Sequence, residues 1–104
     1  MDETKLLINK IMAWGREKGI SNVSEQILKL HEEAVEVKDA LKKRKGDYAI
    51  MEELGDVFVV NTILADMLGY NPIDCMKVAY NKIEKRTGKL IDGCFIKAED
   101  LVDE

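Results

Sequence analysis

From Ser24 to Gly69 the chain carries two long runs of apolar residues at helical spacing, broken only around Gly46. In the first, Ile27, Leu30, Ala34, Val37 and Leu41 recur at intervals of three and four, which line up one face of an α-helix. In the second, Ile50, Leu54, Val57, Asn61 and Leu68 do the same, with Phe58 and Ala65 beside them. So short a connection makes the two helices antiparallel neighbours. Ser24 is the expected N-cap of the first, with Glu25 in its first turn. Lys42-Lys43-Arg44-Lys45 places cations in its last turn, and Gly46 ends it. The second run spans Asp47 to Gly69. Between Val57 and Ala65 it is apolar in almost every direction, so it needs partners all round. One small domain hardly provides them, and a homo-oligomer interface is expected here.

Two further helices flank this pair. One is expected from Glu3 to Lys18, with Leu7, Ile11 and Trp14 on one face and Gly15 and Gly19 weakening its end. The other starts with Asn71 as N-cap and Pro72 at the first helical position, buries Ile73, Met76, Tyr80 and Ile83, and stops before Gly88. In the tail, Ile91, Cys94, Phe95 and Ile96 suit an extended segment, and the acidic last residues are expected to fray. No strand alternation of useful length stands out. The expected fold class is all-α: a bundle of about four helices with a short C-terminal tail, completed by oligomerisation. Residues 1–104 are expected to form a single domain.

Composition narrows the function. Apolar residues make up 46% and charged residues 35%, the balance of a soluble globular chain. The longest apolar stretch, Val57 to Ala65, is too short to cross a bilayer. Met1-Asp2-Glu3 opens with acids where a signal peptide has a basic region, and Cys75 and Cys94 form no CxxC, so a cytoplasmic chain without a zinc site is expected. A net charge of −4 argues against nucleic-acid binding. It still admits a nucleotide substrate, because a divalent cation can stand between acidic side chains and phosphates.

Two acidic patterns carry the chemistry. Glu32-Glu33-Ala34-Val35-Glu36 lies on the first of the central helices and Glu53-Leu54-Gly55-Asp56 on the second. Residues three apart share a helix face. Glu33 and Glu53 each fall roughly 80° from the centre of their apolar stripe, in the same rotational sense. In an antiparallel pair, flanks of the same sense meet on one side. Counted from Gly46, Glu33 and Glu36 lie 13 and 10 residues back and Glu53 and Asp56 lie 7 and 10 forward, so the pairs stand at similar depth. Four carboxylates gathered this way need a cation, protons, or solvated side chains reaching apart. Oxygen-only ligands favour magnesium or manganese, and the reaction class that follows is metal-assisted hydrolysis of a phosphate anhydride. The plainer reading is a solvated acidic face. A di-iron bundle is excluded, because it requires Glu-x-x-His and the sole histidine, His31, has Leu28 three positions before it. His31 is expected as a half-buried structural residue.

At these residues the sequence resembles the MazG-like nucleotide pyrophosphohydrolases of the all-α triphosphate pyrophosphatase superfamily. Their signature of EExxE followed by ExxD is matched by Glu32-Glu33-x-x-Glu36 and Glu53-x-x-Asp56. Ser24 and Gln26 ahead of Leu30, the segment Leu54-Gly55-Asp56-Val57, and Asn81-x-Ile83-x-x-Arg86-x-Gly88-Lys89 with Asp92-Gly93-x-Phe95 extend the likeness over roughly Trp14 to Asp100. The ending is similar to that of short single-domain members. The resemblance implies magnesium, with manganese as the substitute, held by Glu33, Glu36, Glu53 and Asp56. It implies hydrolysis of nucleoside triphosphates between the α and β phosphates, with Glu32 as a further ligand or as the group that orients and deprotonates water. It also implies phosphate contacts from Asn81, Lys82 and Arg86, less so from Lys85 and Lys89. The lysines point away from the expected buried stripe and serve equally as a solvated face. Asn81 and Arg86 fall on opposite flanks, a conflict that a partner subunit resolves.

Trp14 is either a core residue or a platform for a base, and Gln26 either a surface amide or a contact to base or sugar. The expected assembly is a homodimer or homotetramer with no nucleic-acid or membrane partner. Two other classes compete: a catalytically silent helical interaction module, and a narrower relative such as a deoxypyrimidine triphosphatase or a phosphoribosyl-ATP pyrophosphohydrolase. Retention of all five acids speaks against the silent module.

Overall fold

A computed structural model describes residues 2–101, so the expected fraying at the acidic end (102–104) lies outside the described residues. Contacts divide the chain into two compact units, one running to Pro72 and one from Ile73 onward. Four helices are present, as the periodicity implied, and the all-α fold class holds.

The first unit holds α1 (Glu3–Glu17), α2 (Val23–Lys42) and α3 (Asp47–Met67), and α3 packs against both of the others. The Asp2 carboxylate caps α1 by accepting from the Thr4 backbone N–H at 3.0 Å. The α2 cap is Asn22, not Ser24: its amide oxygen accepts from the Glu25 N–H at 3.0 Å, and Ser24 falls inside the first turn. Asn and Ser cap about equally well, so composition alone does not choose between them.

The α2 end also differs from expectation. Arg44 takes the left-handed conformation, with φ 53°, and the N–H groups of Arg44 and Lys45 return to Leu41 and Ala40 at 3.1 and 3.0 Å. This Schellman closure stops the helix at Lys42, ahead of Gly46. Gly19 and Gly69 take the same left-handed position after α1 and α3.

In the first three helices the inward residues match the apolar periodicity only in part: Ile11, Leu30, Val37, Ile50, Val57 and Ala65 turn inward as expected. In α2 the buried and half-buried residues are Val23, Gln26, Leu30, Glu33, Val37 and Ala40, while Ile27, Ala34 and Leu41 are exposed. In α3 the buried and half-buried residues include Ala49, Ile50, Glu53, Asp56, Val57, Val60, Ile63, Ala65 and Met67, while Leu54, Phe58, Asn61 and Leu68 are exposed. In α1 Leu7 and Trp14 are exposed and Ile8, Ile11, Met12 and Gly15 turn inward. Ile27 and Leu41 on α2, with Leu54 and Phe58 on α3, carry apolar surface outside the chain's own seam. His31 is likewise exposed, not half-buried.

The tightest approach joins α1 to α3. A Cβ added at Gly15 would meet three Ile63 side-chain carbons at 3.1 to 3.3 Å, so the glycine lets the two helices close on each other. Above this contact Arg16 Nε donates to Asp66 Oδ2 at 2.8 Å, while Nη2 pairs with Oδ1. Together the hydrogen bonds and the carboxylate charge raise the Arg16 pKa above its ordinary value.

The second unit holds α4 (Pro72–Glu84), which starts at the proline as its N1 preference implies, and an antiparallel hairpin of β1 (Gly88–Ile91) and β2 (Cys94–Lys97). Met76, Tyr80 and Ile83, expected to be buried, are exposed, and Ile73 is half-buried. Asp92 and Gly93, with φ 52° and 78°, form the two-residue turn of the hairpin. Asp-Gly between short apolar runs is a strong hairpin signal, and the strands are only four residues each, below the length at which alternation stands out. At Gly88 an added Cβ would lie 2.0 Å from the Ile96 carbonyl oxygen, so no other residue fits there without displacing β2. A short 3-10 helix, Ala98–Asp100, follows. Among the described residues no helix is long and apolar enough to cross a membrane.

Ile63 is 4% exposed and fills the space that Gly15 leaves. Ile63→Ala is expected to cost about 2–4 kcal/mol through lost burial and the cavity created. Gly15→Leu is expected to cost about 1–3 kcal/mol by overpacking. Chemical denaturation of the intact chain checks both, and wild-type midpoints would show that α1 does not depend on this contact.

Candidate functional site

The seam between α2 and α3 contains carboxylates at positions where a helix pair ordinarily places apolar side chains. Glu33 comes from α2, and Glu53 and Asp56 from α3. One carboxylate oxygen from each lies within 4.8 Å of the others. Glu33 is 5% exposed, and Glu53 and Asp56 are half-buried. Among the described residues, two oxygens, Glu33 Oε2 and Glu53 Oε2, are buried with no hydrogen-bond partner. A buried polar atom without a partner costs free energy, more so when it carries charge. Like charges this close add repulsion, which a small hard cation would relieve while satisfying both oxygens. The donor set is all oxygen, which suits magnesium or manganese, and the orphaned atoms fit such an ion.

Lys29, one turn before Glu33 on α2, is the residue that the acidic signature does not reveal. Its Nζ lies 3.2 Å from Glu33 Oε1 and 3.9 Å from Glu32 Oε2. Its hydrogen bond and charge pairing with Glu33 raise the Lys29 pKa, with smaller pulls from Glu32 and Glu36. The signal was available as a basic residue four positions before an acid, a spacing that pairs side chains on a helix.

A cleft of about 620 Å³ opens beside the acids, lined by Trp14, Asn22, Gln26, Lys29, Glu33 and Asp56 among others. Trp14 is exposed and stands in this cleft, so it is not core. Gln26 is buried, not a surface amide, and its Nε2 donates to the Val60 carbonyl at 3.2 Å. A carbonyl accepts only, so this bond orients the side-chain amide.

The structure thus brings Trp14, Gln26, Glu33 and Asp56 to one cleft, with Glu53 joined through the acidic group. Glu32 and Glu36 are exposed on α2, and neither belongs to the three-acid group. In the second unit Lys82 and Arg86 line a separate cleft of about 290 Å³ with Lys85, Thr87 and Lys97, while Asn81 is exposed and is not among its lining residues. Because α4 ends at Glu84, Arg86 lies beyond the helix, and the opposite-flank argument for Arg86 and Asn81 does not apply. Lys97, from β2, is a basic residue that reading α4 alone does not bring into that cleft.

Comparison with known proteins agrees with this geometry. A family model, the MazG nucleotide pyrophosphohydrolase domain, matches residues 22–91. That stretch runs from the α2 cap to the end of β1 and holds all five acids. No curated protein and no solved structure matches the chain.

If the orphaned oxygens await a cation, charge removal should separate stability from metal response. Glu53→Gln is expected to melt at or above the wild-type temperature in EDTA, because one repelling charge is gone. Millimolar Mn2+ should raise the wild-type melting temperature by a few degrees, about 1 kcal/mol of linkage, and leave the variant unmoved. Equal Mn2+ shifts in both proteins would remove Glu53 from the metal set.

Proposed function

The chain belongs to the MazG nucleotide pyrophosphohydrolase family, and from that membership we propose that it hydrolyses nucleoside triphosphates, ribose or deoxyribose, to monophosphate and pyrophosphate with magnesium. The observation that carries this reading is the pair of buried, unpartnered oxygens on Glu33 and Glu53 beside Asp56. In this reading residues 1–104 work as one pyrophosphohydrolase domain.

Glu33, Glu53 and Asp56 would hold the ion, and Glu36, one turn along α2 from Glu33, is proposed as a fourth ligand. Bound there, magnesium or manganese would neutralise phosphate charge and acidify a water molecule. Glu32 is proposed to orient that water and take its proton. The new bond would form between the water oxygen and the α phosphorus, the bond from the α phosphorus to the α–β bridging oxygen would break, and pyrophosphate would leave carrying that oxygen. Trp14 would stack on the base and Gln26 would touch base or sugar; both line the cleft that holds Glu33 and Asp56. Asn81, Lys82 and Arg86 are proposed phosphate contacts, and the cationic cleft around Lys82 and Arg86 supports the last two.

A homodimer or homotetramer is proposed as the working form. Ile27 and Leu41 on α2, with Met51, Leu54 and Phe58 on α3, are exposed, Phe58 at 70%. A monomer that leaves so many large apolar side chains in water is an interface awaiting its partner. Both cysteines are free thiols, which supports a reducing, cytoplasmic setting. Removal of unwanted nucleotides is the proposed role.

Pyrophosphate release over natural and modified triphosphates, with phosphoribosyl-ATP alongside, tests the activity. Glu36→Gln and Asp56→Asn are each expected to lower turnover at least about 100-fold while leaving helicity intact. Wild-type rates in either variant would strike that acid from the mechanism, and absence of release across the panel would favour the silent helical module. Sedimentation velocity checks the assembly: Phe58→Glu is expected to shift the oligomer toward monomer.

A further inference from the structure

Glu33 divides its two oxygens between different surroundings. Oε1 is held by the Lys29 ammonium at 3.2 Å, while Oε2 is buried without a partner. The Lys29 side chain is half-exposed, whereas that of Glu33 is 7% exposed. The carboxylate is therefore fixed in the seam, and its cationic partner sits on a flexible four-carbon stem at the wall of the cleft.

We propose that Lys29 is a tethered counter-ion that competes with the divalent cation for Glu33 and is drawn off by the phosphates of the substrate, so that cation and nucleoside triphosphate bind cooperatively. The inference rests on the reading above that these acids hold a divalent cation. An ammonium beside Glu33 and a divalent ion on the same carboxylate repel each other. With no nucleotide present, Lys29 partly neutralises the acids and opposes metal loading. A triphosphate entering the cleft offers the ammonium a second set of oxygens, and a lysine suits phosphate as a point charge. Once Lys29 turns to the phosphates, the opposition at Glu33 falls. By linkage the metal then strengthens nucleotide binding by the factor with which nucleotide strengthens metal binding.

Mn2+ binding followed by electron paramagnetic resonance tests this on the intact chain, with and without a triphosphate whose α–β bridge is a methylene group. Without nucleotide, Lys29→Met is expected to bind Mn2+ about two- to fivefold tighter than wild type, the scale of one half-exposed ion pair. The gain in Mn2+ affinity caused by the analogue is expected to shrink about two- to fivefold in Lys29→Met, leaving the direct attraction between cation and phosphate, and to persist in Lys29→Arg, which keeps the charge. Melting in EDTA checks that the variants are folded, and Lys29→Gln repeats the test if Met perturbs the helix. Weaker or equal Mn2+ binding by Lys29→Met and Lys29→Gln, or undiminished coupling, overturns the proposal. Binding that requires Glu33 but ignores Lys29 overturns this inference alone. Wild-type binding that Glu33→Gln does not reduce overturns the metal reading as well.

Discussion

Carboxylates in a helix seam are the constraint around which the first unit is arranged. Two packed helices gain stability by excluding water from the side chains between them, yet here Glu33, Glu53 and Asp56 occupy those positions. The cost of holding charge there falls on the neighbours. Leu30, Val37 and Ala40 on α2, with Val60 and Ile63 on α3, supply apolar contact to either side of the acidic level. Gln26 ties the helices polar-to-polar through the Val60 carbonyl, and Lys29 supplies the nearest positive charge. A stripe interrupted by acids cannot hold three helices alone. The Gly15–Ile63 approach and the Arg16–Asp66 fork add a separate α1–α3 attachment, remote in sequence from the acids.

Much of this architecture is legible in the residues. Pro72 marks the start of α4, Gly19 and Gly69 mark helix ends, and the apolar period locates three long helices to within three residues at each end. The rotational phase is legible only in part: Ile11, Leu30, Val37, Ile50 and Val57 turn inward as their spacing implies, and others do not. Periodicity finds the most apolar face of a helix, and identifying it with the internal core assumes the chain buries its greasiest side within itself. Ile27, Leu41, Leu54 and Phe58 break that assumption: they outweigh Gln26, Glu33, Glu53 and Asp56 in hydropathy but lie outside the seam.

The site was partly legible for a related reason. The three-residue spacing of acids on two antiparallel helices carries over whatever the phase, because both helices rotate in the same sense and the acids stay together. Depth counted from Gly46 sets Glu36 level with Asp56, whereas the three-acid group takes Glu33 from α2, and the helix itself stops sooner, at Lys42. Lys29 is marked only by its i,i+4 spacing to Glu33, a signal shared with many surface pairs, and burial is what shows which acid it serves. The hairpin was missed because four-residue strands are too short for alternation to register, although Asp92-Gly93 is a turn pair with a physical preference for positive φ.

Gly88 gives that hairpin its phase. The Ile96 carbonyl fills the place where any side chain would begin, and Gly88 pairs with Lys97 across the ladder. Sliding either strand by one place would force Thr87 or Lys89 against that oxygen and turn every strand side chain to the opposite surface. Lys97 reaches the wall it shares with Lys82 and Arg86 only in the present alignment. A single hydrogen atom in place of a methyl thus decides which charge the ribbon delivers, much as the cut of a key decides which pins it lifts.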